Sequence, residues 1–166
     1  MGCFLLIGGW HMYILIDSRE QKPFTFSHEK YNVQTEIGTL DTGDYSLLGL
    51  TNKVAIERKS LPDLVMCLGR ERERFERELQ RATGLDFFAV VVEASWQDLI
   101  LGNYRSKLSP HSACQSVMAF MNRYKTTFMF AGTVLQAEYC TWSFLRQYIE
   151  NQRKFIKAIS KHVEIK

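Results

Sequence analysis

Ile56-Glu57-Arg58-Lys59 runs directly into Ser60-Leu61-Pro62-Asp63, and this is the stretch whose residue types can do chemistry. Lys53 to Ile56 is apolar and β-branched enough to form a strand, and Ser60 to Asp63 reads as a helix start. Alternate side chains of a strand share a face. Glu57 and Lys59 therefore point one way and Arg58 the other. A carboxylate at a strand end is a hard oxygen ligand for Mg²⁺. An ammonium beside it can orient a water or offset charge on a phosphate. Glu-x-Lys alone is more often a solvated strand edge, so the pair counts only if other segments bring further groups to it.

Two segments can do so. Tyr13 to Ile16 is a short β-prone run that ends in Asp17-Ser18-Arg19-Glu20, and charged clusters after a buried strand are where α/β folds place chemistry. Leu40-Asp41-Thr42-Gly43-Asp44-Tyr45 has turn composition, with Asp44 entering a strand that a turn at Thr51-Asn52 folds back onto Lys53 to Lys59. If those strands pair, Asp44 and Glu57 lie side by side and repel unless a cation bridges them. The plainer alternative makes Asp44 a turn residue capping its own backbone. Asp63, three residues after Ser60, likewise fits a capping role that complements the helix dipole.

The elements that must hold these groups follow from periodicity. Asn32 to Gly38 is a strand. Leu61, Leu64, Val65, Leu68, Phe75, Leu79 and Ala82 have helical spacing, with Gly69 kinking or splitting the helix and Gly84 closing it. Arg70, Arg74, Arg77 and Arg81 form a stripe interleaved with Glu71, Glu73, Glu76 and Glu78. That is either a solvated, salt-bridged face or a phosphate-contacting row with Arg70 nearest the site. Asp86 to Glu93 is the strongest strand, and its run from Phe87 to Val92 is continuously apolar, as in a central strand buried on both faces. Glu93 at its end is either a strand-end carboxylate near the site or, the preferred reading, a solvated residue. Ser109-Pro110 opens a helix with Ala113, Val117, Phe120, Met121 and Tyr124 on one face. After a strand from Thr126 to Ala131, a long helix runs from Thr133 to about Ser160. Leu135, Trp142, Leu145, Ile149, Ile156 and Ile159 lie on its apolar side, and Arg153, Lys154, Lys157 and Lys161 make its end basic. Strand–helix alternation of this kind predicts an α/β layered fold around a central mixed sheet.

Composition bounds the remaining choices. A chain of 166 residues with 46% hydrophobic and 13% aromatic content can bury a core as one domain. A net charge of +3 permits a polyanionic partner without demanding one. The four cysteines lie far apart, with no Cys-x-x-Cys, which argues against zinc and against a disulfide scaffold and for a reducing, cytoplasmic compartment. Residues 1–12 are set aside as an extension, with His11-Met12 marking a junction or an upstream start, or else forming an extra edge strand. They carry no Lys or Arg and so do not make a signal peptide. No run suits a membrane span, and no Gly-rich phosphate loop suggests a nucleotide cofactor.

Gly43-Asp44, a variable stretch, and then Glu57-Arg58-Lys59 with Asp63 resemble the nuclease domain of the XPF-type structure-specific endonucleases. Asp17-x-Arg19-Glu20, Ala55-Ile56 and Ser60-Leu61 extend the match from about Tyr13 to about Leu135. The resemblance implies a restriction-endonuclease-like, three-layer α/β fold over residues 13–160. It implies Mg²⁺- or Mn²⁺-dependent cleavage of DNA at branches, flaps or forks. By position, Asp44 and Glu57 would hold metal with Asp17 beside them and Glu20 nearby. Lys59 would assist the water or the phosphate, and Arg58 and Asp63 would support the site as an ion pair. Arg19, Arg70, Arg74 and Arg77 would contact DNA. The tandem helix-hairpin-helix module common in that family has no counterpart here, which suits a compact nuclease of a prokaryote, virus or mobile element. A homodimer through the C-terminal helices is expected. The alternatives are a non-catalytic DNA-binding or scaffold module of the same fold and a restriction-type nuclease.

Overall fold

A computed structural model describes residues 11–161. Residues 1–10 of the extension lie outside the described residues. Strand β1 (Met12–Asp17) begins one residue earlier than expected and buries Met12. It is followed by β2 (Val33–Gly38), β3 (Tyr45–Leu47), β4 (Val54–Lys59), α1 (Leu61–Leu68), α2 (Arg72–Ala82), β5 (Phe87–Val92), α3 (Trp96–Leu101), α4 (Pro110–Tyr124), β6 (Thr127–Phe130) and α5 (Val134–Ser160). The six strands form one mixed sheet in the order β2-β1-β3-β4-β5-β6. The pairs β1–β2, β4–β5 and β5–β6 are parallel, and short β3 runs antiparallel to both β1 and β4. The carboxyl ends of β1, β4 and β5 therefore meet at one edge, where the chain also enters β3.

Pleating divides the interior into two layers. On β4 and β5, Ala55, Phe88, Val90 and Val92 face a core built with α1, α2 and α4, including Leu64, Phe75, Val117 and Phe120. Val54, Ile56, Ala89 and Val91 face the opposite core, closed by Ala137 and Leu145 of α5 and by Phe24, Phe26 and Tyr45. A strand buried on both faces has no polar face to show, which is why β5 reads as an unbroken apolar run. β2 at the sheet edge is correspondingly exposed along most of its length.

Three local differences from sequence reasoning have simple causes. Gly69 does split the helix, so Arg70 lies in the break and the arginine stripe is interrupted there. Leu135, placed by periodicity on the apolar side of α5, is 77% exposed, and Ile156 and Ile159 are exposed too. The sheet is shorter than the helix, so the two ends of α5 run past their cover. Met121 on α4 is also exposed, at the margin of that helix's buried face.

One buried charge ties α5 to the loop before β2. Glu138 accepts hydrogen bonds from the backbone N–H groups of Thr25 and Phe26 at 3.0 and 3.1 Å. Phe26 is held there at a positive φ of 49°, strained backbone for a bulky residue. Glu138→Ala strands two N–H donors, at about 1–3 kcal/mol each. It should lower the melting midpoint by roughly 5–15 °C, at a few degrees per kcal/mol for a chain of this size. Glu138→Gln keeps an acceptor and should lose far less. Equal losses for the two variants in a thermal melt would contradict this account.

Candidate active site

The expected residues converge on the shared strand edge. Tyr45 pairs with Ile56 and Ser46 with Ala55, so one further step of the antiparallel register sets Asp44 opposite Glu57. The two carboxylates lie on the same side of the sheet, the side of Ser46 and Ala55 rather than of Tyr45 and Ile56. Gly43, at φ 82°, makes the entry to β3 possible. A Cβ there would stand 3.0 Å from Ala55 Cβ and 3.1 Å from the Ile56 carbonyl oxygen, so a larger residue would push β3 off β4. Asp44 N–H donates to that same Ile56 carbonyl at 2.8 Å, and Asp44 Oδ2 accepts from Arg58 N–H at 2.8 Å.

Burial sets the electrostatics. Glu57 is 4% exposed, and desolvation together with the adjoining Asp44 pushes its carboxyl well above the usual carboxylate range. Burial pushes Asp44 up to about 6, against the pull of the Arg58 N–H and of Lys59. Lys59 forms an ion pair with Glu57. Burial alone would pull the ammonium down, but Glu57 outweighs it and holds the pKa of Lys59 above its ordinary value. Lys59 is thus protonated at neutral pH and acts as a fixed cation, not as a base.

Asp17 takes another part. Its Oδ1 accepts from Arg19 N–H and Nε at 2.9 and 2.7 Å, and its Oδ2 accepts from Arg19 Nη2 and Leu40 N–H at 2.9 and 2.7 Å. Two bonds per oxygen fill the lone pairs of a carboxylate, so in this arrangement Asp17 has none left for a cation. As placed here, Asp17 braces Arg19 and the turn at Leu40. These donors, the Arg19 side chain first, lower the pKa of Asp17 to about 2. Arg19, expected on DNA, is tethered at its head to Asp17 and to the Leu40 carbonyl, with the rest of its side chain exposed.

Arg58 points to the other face, as strand alternation requires. Its guanidinium lies 4.2 Å from the centre of the Phe24 ring, pairs with Glu93 at 2.5 Å and Glu20 at 3.7 Å, and donates to the Lys22 carbonyl. The expected Arg58–Asp63 ion pair does not form. Asp63 Oδ2 instead accepts from Ser60 Oγ at 2.6 Å, while Ser60 Oγ accepts from Asp63 N–H. Glu93, read as solvated, is a largely buried partner of Arg58. Only the fold shows this, because the parallel register of β4 with β5 brings the ends of the two strands together.

An open trough of about 450 Å³ lies over this edge, lined by Asp44, Arg58, Lys59, Asp63, Glu20 and Lys22 among others. Glu57 is not part of the lining; it is buried and reaches the trough through its ion pair with Lys59. Glu78 of α2 was read as one of four solvated glutamates, yet it is half-buried and its charge acts on Glu57, Asp44 and Lys59. Its spacing from Phe75, one helical turn on, is the only sequence signal that could have singled it out. Of the arginine row, Arg74 pairs with Glu71 and so takes the salt-bridged reading. Arg77 is exposed on α2, away from the trough. Among the described residues no three His, Cys, Asp or Glu side chains gather closely enough to hold a metal ion by themselves.

A family model for the ERCC4 domain matches residues 16–137. The chain belongs to the ERCC4 domain family. The domain also shares its fold with XPF from Aeropyrum pernix, at a TM-score of 0.66 and 19% identity over 90% of this chain and 73% of that one. A second structure, XPF from Aeropyrum pernix in complex with DNA, matches at a TM-score of 0.67 and 20% identity over 84% of this chain and 66% of that one. A search of curated proteins gave no match. The six-stranded mixed sheet between helical layers is thus the XPF nuclease fold that the motifs implied. Membership of the family supports a DNA endonuclease or a DNA-binding role. None of the described helices is long and apolar enough to cross a membrane.

The raised pKa of Asp44 carries a stability consequence. The folded state holds that proton more tightly than the unfolded chain, whose carboxyl titrates near 4. This contribution is therefore complete at low pH and is lost as pH rises from about 4 through about 6. Asp44→Asn keeps the acceptor for Arg58 N–H and removes the buried charge. In EDTA at pH 7.5 it should be more stable than the parent by about 1–3 kcal/mol, and the gain should vanish by about pH 4. Urea melts across that range test it, and a gain equal at both ends would show that charge is not the cause.

Proposed function

We propose that this domain is a Mg²⁺- or Mn²⁺-dependent DNA endonuclease that hydrolyses phosphodiester bonds in branched, flap or fork DNA. The observation that carries the proposal is the convergence of Asp44, Glu57 and Lys59 at one strand edge, with Asp44 and Lys59 lining an open trough. The donor set fits a hard divalent cation. Two carboxylates burdened by burial and by each other are relieved by positive charge, and Mg²⁺ commonly takes only one or two carboxylates with water and phosphate oxygens completing its shell. Asp44 and Glu57 would hold it. When bound, it would supply charge neutralisation at the phosphate and a lower pKa for the attacking water.

The chain's own residues account for the rest. Lys59 presents a fixed positive charge where negative charge grows on the scissile phosphate. Arg58, clasped between Glu20 and Glu93, braces the strand end and the loop carrying Lys22, so the trough keeps its shape when a polyanion enters. Asp17 does the same for Arg19 and the turn at Leu40. Selectivity for branched over plain duplex DNA is read from the family motifs rather than from the site. The second reading is a DNA-binding or scaffold module of the same fold that does not cut.

Glu57→Gln should reduce cleavage of forks and flaps by 10³-fold or more, the scale of losing essential electrostatic machinery, while DNA affinity stays within a few-fold. Single-turnover cleavage in Mg²⁺, in Mn²⁺ and in EDTA decides it. Normal cutting by the variant, or cutting in EDTA, would remove Glu57 and the cation from the mechanism. Binding by the parent without cutting in either metal would favour the module. We also propose that the exposed apolar side chains Phe155, Ile156 and Ile159 at the end of α5 pair with a second copy. Phe155→Glu with Ile159→Glu should then give a monomer by sedimentation where the parent sediments as a dimer.

A further inference from the structure

Beside the catalytic trough lies a larger one, of about 780 Å³, between α1 and the loop that joins α3 to α4. Its walls differ in kind. Val65, Met66 and Leu108 form an apolar floor, and Leu108 Cδ2 lies only 4.0 Å from where a Cβ on Gly69 would stand, so the floor is continuous across the helix break. Arg70, Arg105 and Lys107 form a cationic rim. Arg72, Arg74 and Arg123 on neighbouring helices are paired with glutamates. Arg70, Arg105 and Lys107 join no ion pair among the described residues. Arg70 Nη2 instead donates to Met66 Sδ at 3.0 Å, which holds the guanidinium over the floor. The loop is braced from within: Tyr104 Oη donates to the Leu108 carbonyl and Leu108 N–H to Ser106 Oγ, each at 3.1 Å. The one acid on the lining is Asp63, and it lines the catalytic trough as well, so the two troughs meet at that residue.

We infer that this second trough seats an unpaired DNA strand leading to the cut phosphate. The inference deepens the nuclease reading and rests on it. A duplex hides the faces of its bases and offers phosphates. An apolar floor under unpaired cations matches bases laid flat with their phosphates on the rim. Three free cations exceed the single acid, and that acid is engaged with Ser60, so the rim favours a polyanion. Position adds direction: a strand lying across Met66 and passing Asp63 arrives over Asp44 and Lys59.

The test is fluorescence anisotropy in EDTA, so that no cutting enters. The probes are a fork with unpaired arms and a blunt duplex of the same length. Arg105→Ala with Lys107→Ala should weaken fork binding by about tenfold and lower the salt slope by about 1.4, at roughly 0.7 per released single-strand contact. Duplex binding should stay within twofold. Equal weakening for both probes, or for neither, would overturn the inference. A fork with 4-thiothymine in its unpaired arm supplies a check on the parent protein that needs no folded variant. Cross-links within 62–70 or 105–108 support the seat, and cross-links confined to other segments overturn it. Failure of the nuclease reading looks different, as intact fork binding with no cleavage in Mg²⁺ or Mn²⁺.

Discussion

Asp44 and Glu57 stand opposite each other at a buried strand edge, and two like charges so placed are tolerated only with positive charge against them. Lys59 is the cation the chain itself provides. The neighbourhood is built around keeping this arrangement from relaxing. Gly43 lets β3 approach β4 closely, Arg58 N–H ties down one Asp44 oxygen, and Phe75 of α2 closes the side of Lys59, its ring centre 5.9 Å from Nζ. The raised pKa values of the two carboxyls record the cost of holding charge there, and that cost is what the proposed cation would relieve.

Around this unstable centre stand two stable ones. Asp17 with Arg19 and Arg58 with Glu93 and Glu20 are satisfied ion pairs, and neither needs a ligand to be complete. The contrast separates roles that residue type cannot. An acid with its lone pairs filled has its pKa lowered, whereas an acid with burial and a like-charged neighbour against it has its pKa raised.

Much of this was legible in the sequence, and the remainder was hidden for definite reasons. The two-layer fold follows from the unbroken apolar run of β5 and the helical spacing on either side of it. The side-by-side placement of Asp44 and Glu57 follows from a turn between two strands, because antiparallel pairing is local. What escaped depends on contacts distant in sequence. Glu93 meets Arg58 through the parallel register of β5 on β4, and Glu78 reaches Glu57 through the docking of α2 on that face. The first leaves no mark on periodicity, and the second only the one-turn spacing of Glu78 from Phe75. Leu135 misled for the opposite reason: its helical spacing is regular, but the sheet ends before it. Asp17 was found as a residue but not its partners, since the hydrogen bonds from Arg19 and Leu40 depend on how two turns meet in space.

The alternation of β4 ties folding to chemistry. Ala55, Glu57 and Lys59 point to the layer of α1 and α2, and Ile56 and Arg58 point to the layer of α5. A slip of one residue would send Arg58 into the first core and Glu57 among Phe24 and Tyr45, burying a lone carboxylate against aromatic rings. The site charges therefore help to specify the register, and the register in turn aligns Glu57 with Asp44. A carboxylate pair that weakens the fold in isolation thus also guards the pairing that creates it. On this view, substitutions that relieve the repulsion gain stability and lose both the proposed cation site and part of the penalty against misregistered strands.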